Sequence, residues 1–468
     1  MGAHAEAQLT PGASTQLNDQ HSPRIKRGLC EAIAGLALYH LCNIYLGTCS
    51  RYATMNNLSR REFLGVVGAG ALATLPGWRM IPPPPEFRIR TITAGITLGD
   101  ATDLDAMHSA VEFLSAARGR LAETYEVQTT RIATQPLAHY LPDWRSPASI
   151  DAIAELDRIA VDAGAMFNVG PVLTDDNEIS GFGSWAADLI AATSNTSLSS
   201  FVASERGLHA RSMRAAAEAI AAIARTSPGG EGNFRFCATA FCPPGTPFFP
   251  AAYHDGEPAF SIGLESPRLL AAALAGTQSR TEAIRSMKTR LNEALAPVEA
   301  LAEDIAAATG RRYLGIDTSP APGLDASIGE VIESLAGVPF GAAGTMSACS
   351  AITTVLQGLM ARTCGYSGLM LPVLEDTLLA QRAVEERYGV DELLLYSSVC
   401  GTGLDVVPLP GDTTVESLEA TIGDVAALAA RYRKPLSARL FPVPGKSAGD
   451  LVDFENPFLT GSRVMAVG

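Results

Sequence analysis

The 468-residue chain is 47% hydrophobic, 18% charged and only 6% aromatic. Apolar content of that order supports a packed core without disulfide or metal staples, and it excludes a disordered or fibrous protein. A formal net charge of −14 argues against a nucleic-acid or anionic-membrane surface, so a small molecule is the expected ligand.

The first informative string is Ser59-Arg60-Arg61-Glu62-Phe63-Leu64-Gly65, followed by the Gly/Ala-rich run from Val66 to Ala73. Paired arginines before a short, mildly apolar run resemble a twin-arginine export signal. The run is too short to span a bilayer, which takes about 20 apolar residues. Ala71-Leu72-Ala73 has the small-x-small shape of a cleavage site. A signal over residues 55–80 is therefore expected, with Met55 at its start and Pro82 to Pro85 as spacer. Residues 1–54 read as an upstream extension, disordered or translated from a mis-assigned start. The twin-arginine translocase would be a partner during export to the periplasm or beyond. Residues 1–76 hold six Lys/Arg and four Asp/Glu, so the remainder is more acidic still, at −16.

From residue 87 to 468 a single α/β domain is expected. Short apolar or β-branched runs bounded by Gly or Pro alternate with Ala-rich amphipathic stretches. Strands are predicted at 91–98, 127–133, 167–173, 199–204, 234–241, 259–264, 313–317, 368–371, 393–397 and 437–441. Helices are predicted at 103–124, 149–163, 209–225, 281–309, 345–362, 377–388 and 415–432. Such a series implies a sheet or barrel of about ten strands with helices outside.

Function belongs in the loops after strand ends, where polar groups interrupt the apolar pattern. His254 lies in the Pro/Gly-rich loop 243–257, near carboxylates, where an imidazole suits acid–base work or metal ligation. Asp317-Thr318-Ser319 places an acid and two hydroxyls at a strand tip. The small-residue run 340–350 opens a helix, but its Gly spacing matches no nucleotide fingerprint and tight packing explains it better. Cys400, followed by Gly401-Thr402-Gly403 and Asp405, is a candidate thiol beside backbone donors. Arg439 and Lys446 are cations available to clamp an anion in an acidic protein. Five cysteines follow the signal (Cys237, Cys242, Cys349, Cys364 and Cys400), without a Cys-x-x-Cys pair. An odd number leaves at least one unpaired, and Cys400 is the expected free thiol.

The 247–254 and 315–319 segments, Gly368-Leu369-Met370-Leu371-Pro372-Val373-Leu374-Glu375-Asp376, the Ser398–Asp405 run and Pro444–Asp450 together resemble the domain-of-unknown-function family 711. That family is related to uncharacterised protein family 0210. The resemblance covers roughly residues 88–467 and brings no activity with it. It implies a ten-stranded α/β barrel similar to the pyruvate formate-lyase-like glycyl radical enzymes. The C-terminal Arg463-Val464-Met465-Ala466-Val467-Gly468 lacks a glycine-aromatic radical sequence, so radical chemistry is not expected.

The sequence thus leads to an exported enzyme acting on a small polar or anionic metabolite through a cysteine/acid site. Cys400, His254, Asp317 and Asp405 are the candidate catalytic groups. Lys446, Arg439, Thr318 and Ser319 are the candidate substrate-binding groups. A divalent metal is the candidate cofactor, with Glu265, Asp376 and Asp412 as its candidate ligands. The alternative is a non-catalytic small-ligand or divalent-metal binding protein. Cys400 beside His254 or an acid would favour the enzyme, and Cys400 in apolar surroundings the binder.

Overall fold

The computed structural model describes residues 85–177 and 179–467, all within one unit, Pro84–Gly468. The upstream extension and the export signal lie outside the described residues. The strand–helix series begins with β1 (Arg88–Gly95), α1 (Leu104–Ala122), β2 (Val127–Ala133), α2 (Pro147–Asp162) and β3 (Met166–Leu173). It continues with α3 (Phe182–Ala192), β4 (Thr196–Ser204), β5 (Gly207–Leu208), α4 (Ala210–Thr226) and β6 (Phe236–Ala240). Next come β7 (Ala259–Glu265), α5 (Pro267–Leu274), α6 (Arg280–Thr309), β8 (Arg312–Pro320), α7 (Ile328–Ala336) and α8 (Thr345–Gln357). The last are α9 (Thr377–Val384), α10 (Val390–Ser397), β9 (Gly403–Pro410), α11 (Val415–Tyr432), β10 (Leu436–Val443), β11 (Leu451–Val452) and β12 (Ser462–Arg463).

Side-chain caps set several helix starts. Asp103 accepts from the Ala106 amide at α1, Ser279 from Glu282 at α6, and Thr414 from Ser417 at α11. Gly310 and Gly337 end α6 and α7 in the left-handed conformation that glycine adopts without a Cβ clash.

The large sheet has ten strands in the order β8-β7-β1-β2-β3-β4-β6-β10-β9, with β5 paired to β4. β1, β2, β3, β4 and β6 are mutually parallel. The parallel pairs β7/β8 and β9/β10 join either side through antiparallel contacts, β7 to β1 and β10 to β6. Period-two alternation divides the sheet's faces. Ile89, Ile132, Leu198, Ala238 and Ala438 point into the main apolar core under the helices. Thr129, Arg131, Ser197, Cys237, Ser437 and Arg439 point the other way and line an internal pocket.

The fold is mixed α/β, as expected, but strand pairing alone does not close a barrel, because β8 and β9 end the sheet as unpaired edges. Residues 362–373 pass from one edge to the other. They make isolated parallel bridges, Thr363 with Ile316 of β8 and Pro372 with Asp405 of β9. The predicted strand at 368–371 is this crossing segment, which never gains a full ladder. Its path is narrow: a Cβ on Gly401 would lie 2.3 Å from the Gly368 Cα. The Gly401-x-Gly403 pattern therefore marks a close backbone crossing rather than an anion loop. The predicted strand at 393–397 is helical, the second half of α10, and the true strand β9 follows Cys400 instead of preceding it.

Candidate functional site

Most of the sequence-chosen polar residues have structural partners. Cys400 follows α10 and is 1% exposed within the apolar core, with Lys434 Nζ donating to its carbonyl at 2.7 Å. Lys434 also donates to the Ser397 and Ser398 carbonyls at 2.6 and 3.0 Å, closing the C-terminus of α10. Among the described residues neither His254 nor an acid is hydrogen-bonded to the Cys400 thiol. All five cysteines of the described region are free, so the expectation that Cys400 would stand out as the unpaired one does not distinguish it.

His254 is buried, and its Nε2 donates to the Gly256 and Glu257 carbonyls at 3.1 and 2.9 Å. Its Nδ1 is a buried acceptor without a partner, packed against Gly95, where a Cβ would collide with the ring. Burial pushes its pKa below the ordinary value. The unfolded chain therefore binds the proton more readily, and stability is lost as pH falls below about 6.5 towards the lowered folded value. Between pH 7.5 and 5.5 the native chain should lose up to about 1.4 kcal/mol per pH unit more than His254→Gln. Urea midpoints at the two pH values measure this, and equal slopes in both proteins would exclude a neutral buried imidazole.

Asp317 serves the crossing segment. Its Oδ1 accepts from the Ser319 hydroxyl at 2.6 Å and the Ser367 amide at 2.9 Å, and its Oδ2 from the Tyr366 amide at 2.8 Å. The Ser319 hydroxyl in turn accepts from the Gly368 amide, while the Thr318 hydroxyl donates to the Leu356 carbonyl. Burial raises the Asp317 pKa, opposed by the hydrogen bonds from Ser319, Tyr366 and Ser367. Thus Asp317, Thr318 and Ser319 hold backbone.

The three metal candidates do not converge. Asp376 caps two helices, accepting from Leu378 and Leu379 in α9 and from Ile328 and Gly329 in α7. Glu265 is neutralised by Arg88 at 2.5 Å and Arg90 at 3.2 Å. Asp412 is exposed. Among the described residues no group of three or more His, Cys, Asp or Glu could hold a metal ion. Lys446 is exposed and donates to the Leu451 carbonyl, away from the pocket.

Asp405 and Arg439 do meet, in a cavity of about 80 Å³ on the polar face of the sheet. Arg439 Nε donates to Asp405 Oδ1 at 2.7 Å, and its terminal nitrogen reaches Glu375 at 2.5 Å. Burial raises the Asp405 pKa, while the Arg439 charge opposes that rise. Burial also works against the Arg439 charge, but Asp405 and Glu375 more than offset it and hold its pKa above the ordinary value. Arg90 joins the group through Glu375 at 3.5 Å and Glu265 at 3.2 Å. Tyr366 donates to the Ser437 hydroxyl, which donates to the Thr402 carbonyl.

Arg131, on β2, also lines the pocket and is 7% exposed. Its Nε reaches the Thr129 hydroxyl at 3.3 Å, and its guanidinium lies 5.1 Å from the Phe249 ring centre. It has no carboxylate partner among the described residues. Burial and the nearby charges of Arg90 and Arg439 push its pKa down to about 9, with Glu375 opposing. The Phe249 loop is anchored by Thr93, which donates to the Pro247 carbonyl, and by Asn168, which donates to the Pro250 carbonyl. Cys237 lines the cavity too, but burial holds its thiol protonated, well above the ordinary value. Among the described residues the pocket thus combines an arginine without a carboxylate partner and a protonated thiol, with no metal-ligand cluster.

The sequence reading missed Arg90, Arg131, Cys237 and Tyr366. The available signal was polar residues alternating with apolar ones inside strands: Arg88-Ile89-Arg90, Thr129-Thr130-Arg131-Ile132 and Ser437-Ala438-Arg439-Leu440.

Fold and site together define a mixed α/β protein with an arginine-lined internal cavity. The model of the family described as Uncharacterised ACR (DUF711) matches residues 80–455, and the chain belongs to that family. It is 29% identical over 401 residues to a UPF0210 protein of Desulforudis audaxviator, covering 78% of this chain and 88% of that one. A UPF0210 protein of Oenococcus oeni is 25% identical, covering 79% and 88% of the two chains. One from Methanosarcina mazei is 26% identical, covering 78% and 87%.

Proposed function

We propose that this protein binds a small anionic metabolite, with its anionic group on Arg131. The observation that carries this reading is a guanidinium buried against the cavity that is paired with no carboxylate among the described residues. A charge left unpaired in such a site is costly, and a bound anion relieves that cost. Cys400 lying in apolar surroundings, apart from His254, supports a binding role over a cysteine/acid enzyme. Purified full-length protein should release a small anion on denaturation, detected by negative-ion mass spectrometry. Arg131→Met should carry at least tenfold less of it, as expected for a charge-assisted hydrogen bond worth about 1.5–3 kcal/mol. Equal loading of the two proteins would overturn the reading.

We also propose that the crossing segment completes a ring resembling the ten-stranded barrel of the pyruvate formate-lyase-like fold. Hydrogen bonds from Ile316 to Arg362, Cys364 to Ile316 and Val373 to Asp405 support this. Slow hydrogen exchange at the Ile316, Cys364 and Val373 amides is the expected signature. Fast exchange there would leave an open sheet.

For localisation we propose export by the twin-arginine translocase, on the strength of the Ser59–Gly65 string. A reporter fused after residue 86 should be exported, and Arg60→Lys with Arg61→Lys should stop it. Unchanged export would exclude that route. Separately, no helix of the described residues is long and apolar enough to cross a membrane.

A further inference from the structure

We infer that the pocket's occupant is a monocarboxylate with a compact apolar or aromatic body, rather than a phosphate or a dicarboxylate. The inference rests on the anion reading above and assigns its ligand class.

Charge fixes the valence. Arg88, Arg90 and Arg439 are linked to Glu265, Glu375 and Asp405, and Arg88 also to Glu126 and Asp325, so each of these cations already has a carboxylate. Arg235, the other arginine on the cavity wall, donates to the Ile190 and Thr196 carbonyls and the Thr193 hydroxyl at the end of α3. Among the described cavity-lining arginines, Arg131 is the one whose terminal nitrogens make no hydrogen bond and so are open to a ligand. A second anionic group would find Arg90 and Arg439 already held by Glu375 and Asp405, with no unpaired cation to receive it.

The surroundings of Arg131 fix the body. On one side Phe249 stacks beneath its guanidinium. On the other, β2 pairs with β3 so that Met166 lies opposite Arg131, and Met166 also lines the cavity. Phe248, Ala251, Ala321 and Met370 supply further apolar wall. A carboxylate on Arg131 therefore has mostly carbon around its remainder, although Thr129, Ser197, Thr402 and Ser437 also line the cavity, and a bare or hydrated anion wastes that apolar surface.

Access points the same way. Phe234 and Phe458 stack with ring centres 6.5 Å apart and planes 11° apart, between the cavity and an outer cleft that both rings also line. Arg439 lies 5.0 Å from the Phe234 ring and Arg90 5.6 Å from the Phe458 ring. Among the described residues the cleft carries Glu231, Asp453 and Glu455 against one cation, Arg235. An aromatic doorway with an acidic approach passes a monoanion with an apolar body more readily than a polyanion.

Isothermal titration of the dialysed full chain with benzoate, isovalerate, acetate, malonate and inorganic phosphate tests the inference. Benzoate or isovalerate should bind at least tenfold more tightly than acetate, and malonate and phosphate more weakly than either. Arg131→Met should lose at least tenfold in benzoate affinity, whereas Phe249→Leu should weaken benzoate more than acetate. Acetate, malonate or phosphate binding as well as benzoate, still dependent on Arg131, would overturn the ligand class and leave the anion reading standing. No binding of any probe would remove both. The ranking on the native chain decides between these outcomes whether or not Arg131→Met folds.

Discussion

Replacing Arg439 with methionine is expected to destabilise the protein by about 3–5 kcal/mol, the range for stripping one partner from a buried ion pair. Methionine fills much of the arginine stem's volume, so the loss reports charge more than packing. It leaves Asp405 unpaired and deprives Glu375 of its nearest cation, since Arg90 lies 3.5 Å away against 2.5 Å for Arg439. The Asp405 pKa is already raised by burial, and without Arg439 it rises further. For an acid whose folded pKa exceeds its unfolded value of about 3.9, the penalty is absent below that value. It grows as pH rises through the folded pKa. The deficit of Arg439→Met relative to native protein should therefore shrink between pH 7 and pH 4.5. The double variant Arg439→Met/Asp405→Leu should recover part of the loss at pH 7, because it removes the stranded charge. Urea denaturation of the three proteins measures both effects. A pH-independent deficit, with no recovery in the double variant, would mean that Arg439 acts by packing.

Element type was legible wherever one periodicity dominated. β2 matches its predicted bounds, Val127–Ala133, and α11 spans Val415–Tyr432 as the Thr414 cap and the apolar stripe imply. The run Leu393–Ser397 was ambiguous, because five mostly apolar residues fit a buried strand or half a helix equally well. The deciding signal lay upstream, where Glu392 accepts from the Gly389 amide and acidic residues occupy the first turn. β9 was hidden by Gly403, Pro408 and Pro410, which read as loop chemistry. Proline is tolerated there because β9 is a sheet edge, where a missing amide need break no ladder.

The site was legible only in part, because the loops drew attention from the strands. Arg439 and Asp405 were found, but both sit in strands rather than beyond strand ends. His254, Asp317 and Asp376 are polar groups of the kind that mark active sites, yet Asp317 and Asp376 satisfy backbone amides that would otherwise be buried without partners, and His254 holds two carbonyls of its own loop. Sequence spacing does not separate those roles, since a carboxylate that caps an amide and one that moves a proton occupy the same loop positions. Arg131 was visible as a charge inside an apolar strand, but its missing counter-ion is a three-dimensional fact.

Asp317→Ala separates those two roles most sharply. It orphans the Tyr366 and Ser367 amides, each at about 1–3 kcal/mol when buried, for a combined loss of roughly 3 kcal/mol. The segment it releases carries Tyr366, Met370 and Pro372 into the pocket wall. Benzoate affinity should therefore fall together with stability, and the Cys364 and Val373 amides should lose exchange protection. Asp317→Asn should do the same to a lesser degree, because one amide group must then face an N–H donor. Asp412→Ala, on the exposed surface, should stay within about 0.5 kcal/mol of native and bind normally. A proton-transferring Asp317 would behave differently: the asparagine variant would keep its fold, its exchange pattern and its ligand, and lose only turnover. The segment joins two sheet edges that do not pair with each other, so its anchor bears on both edges and on the pocket. A single carboxylate on β8 would thus govern the crossing and ligand affinity together.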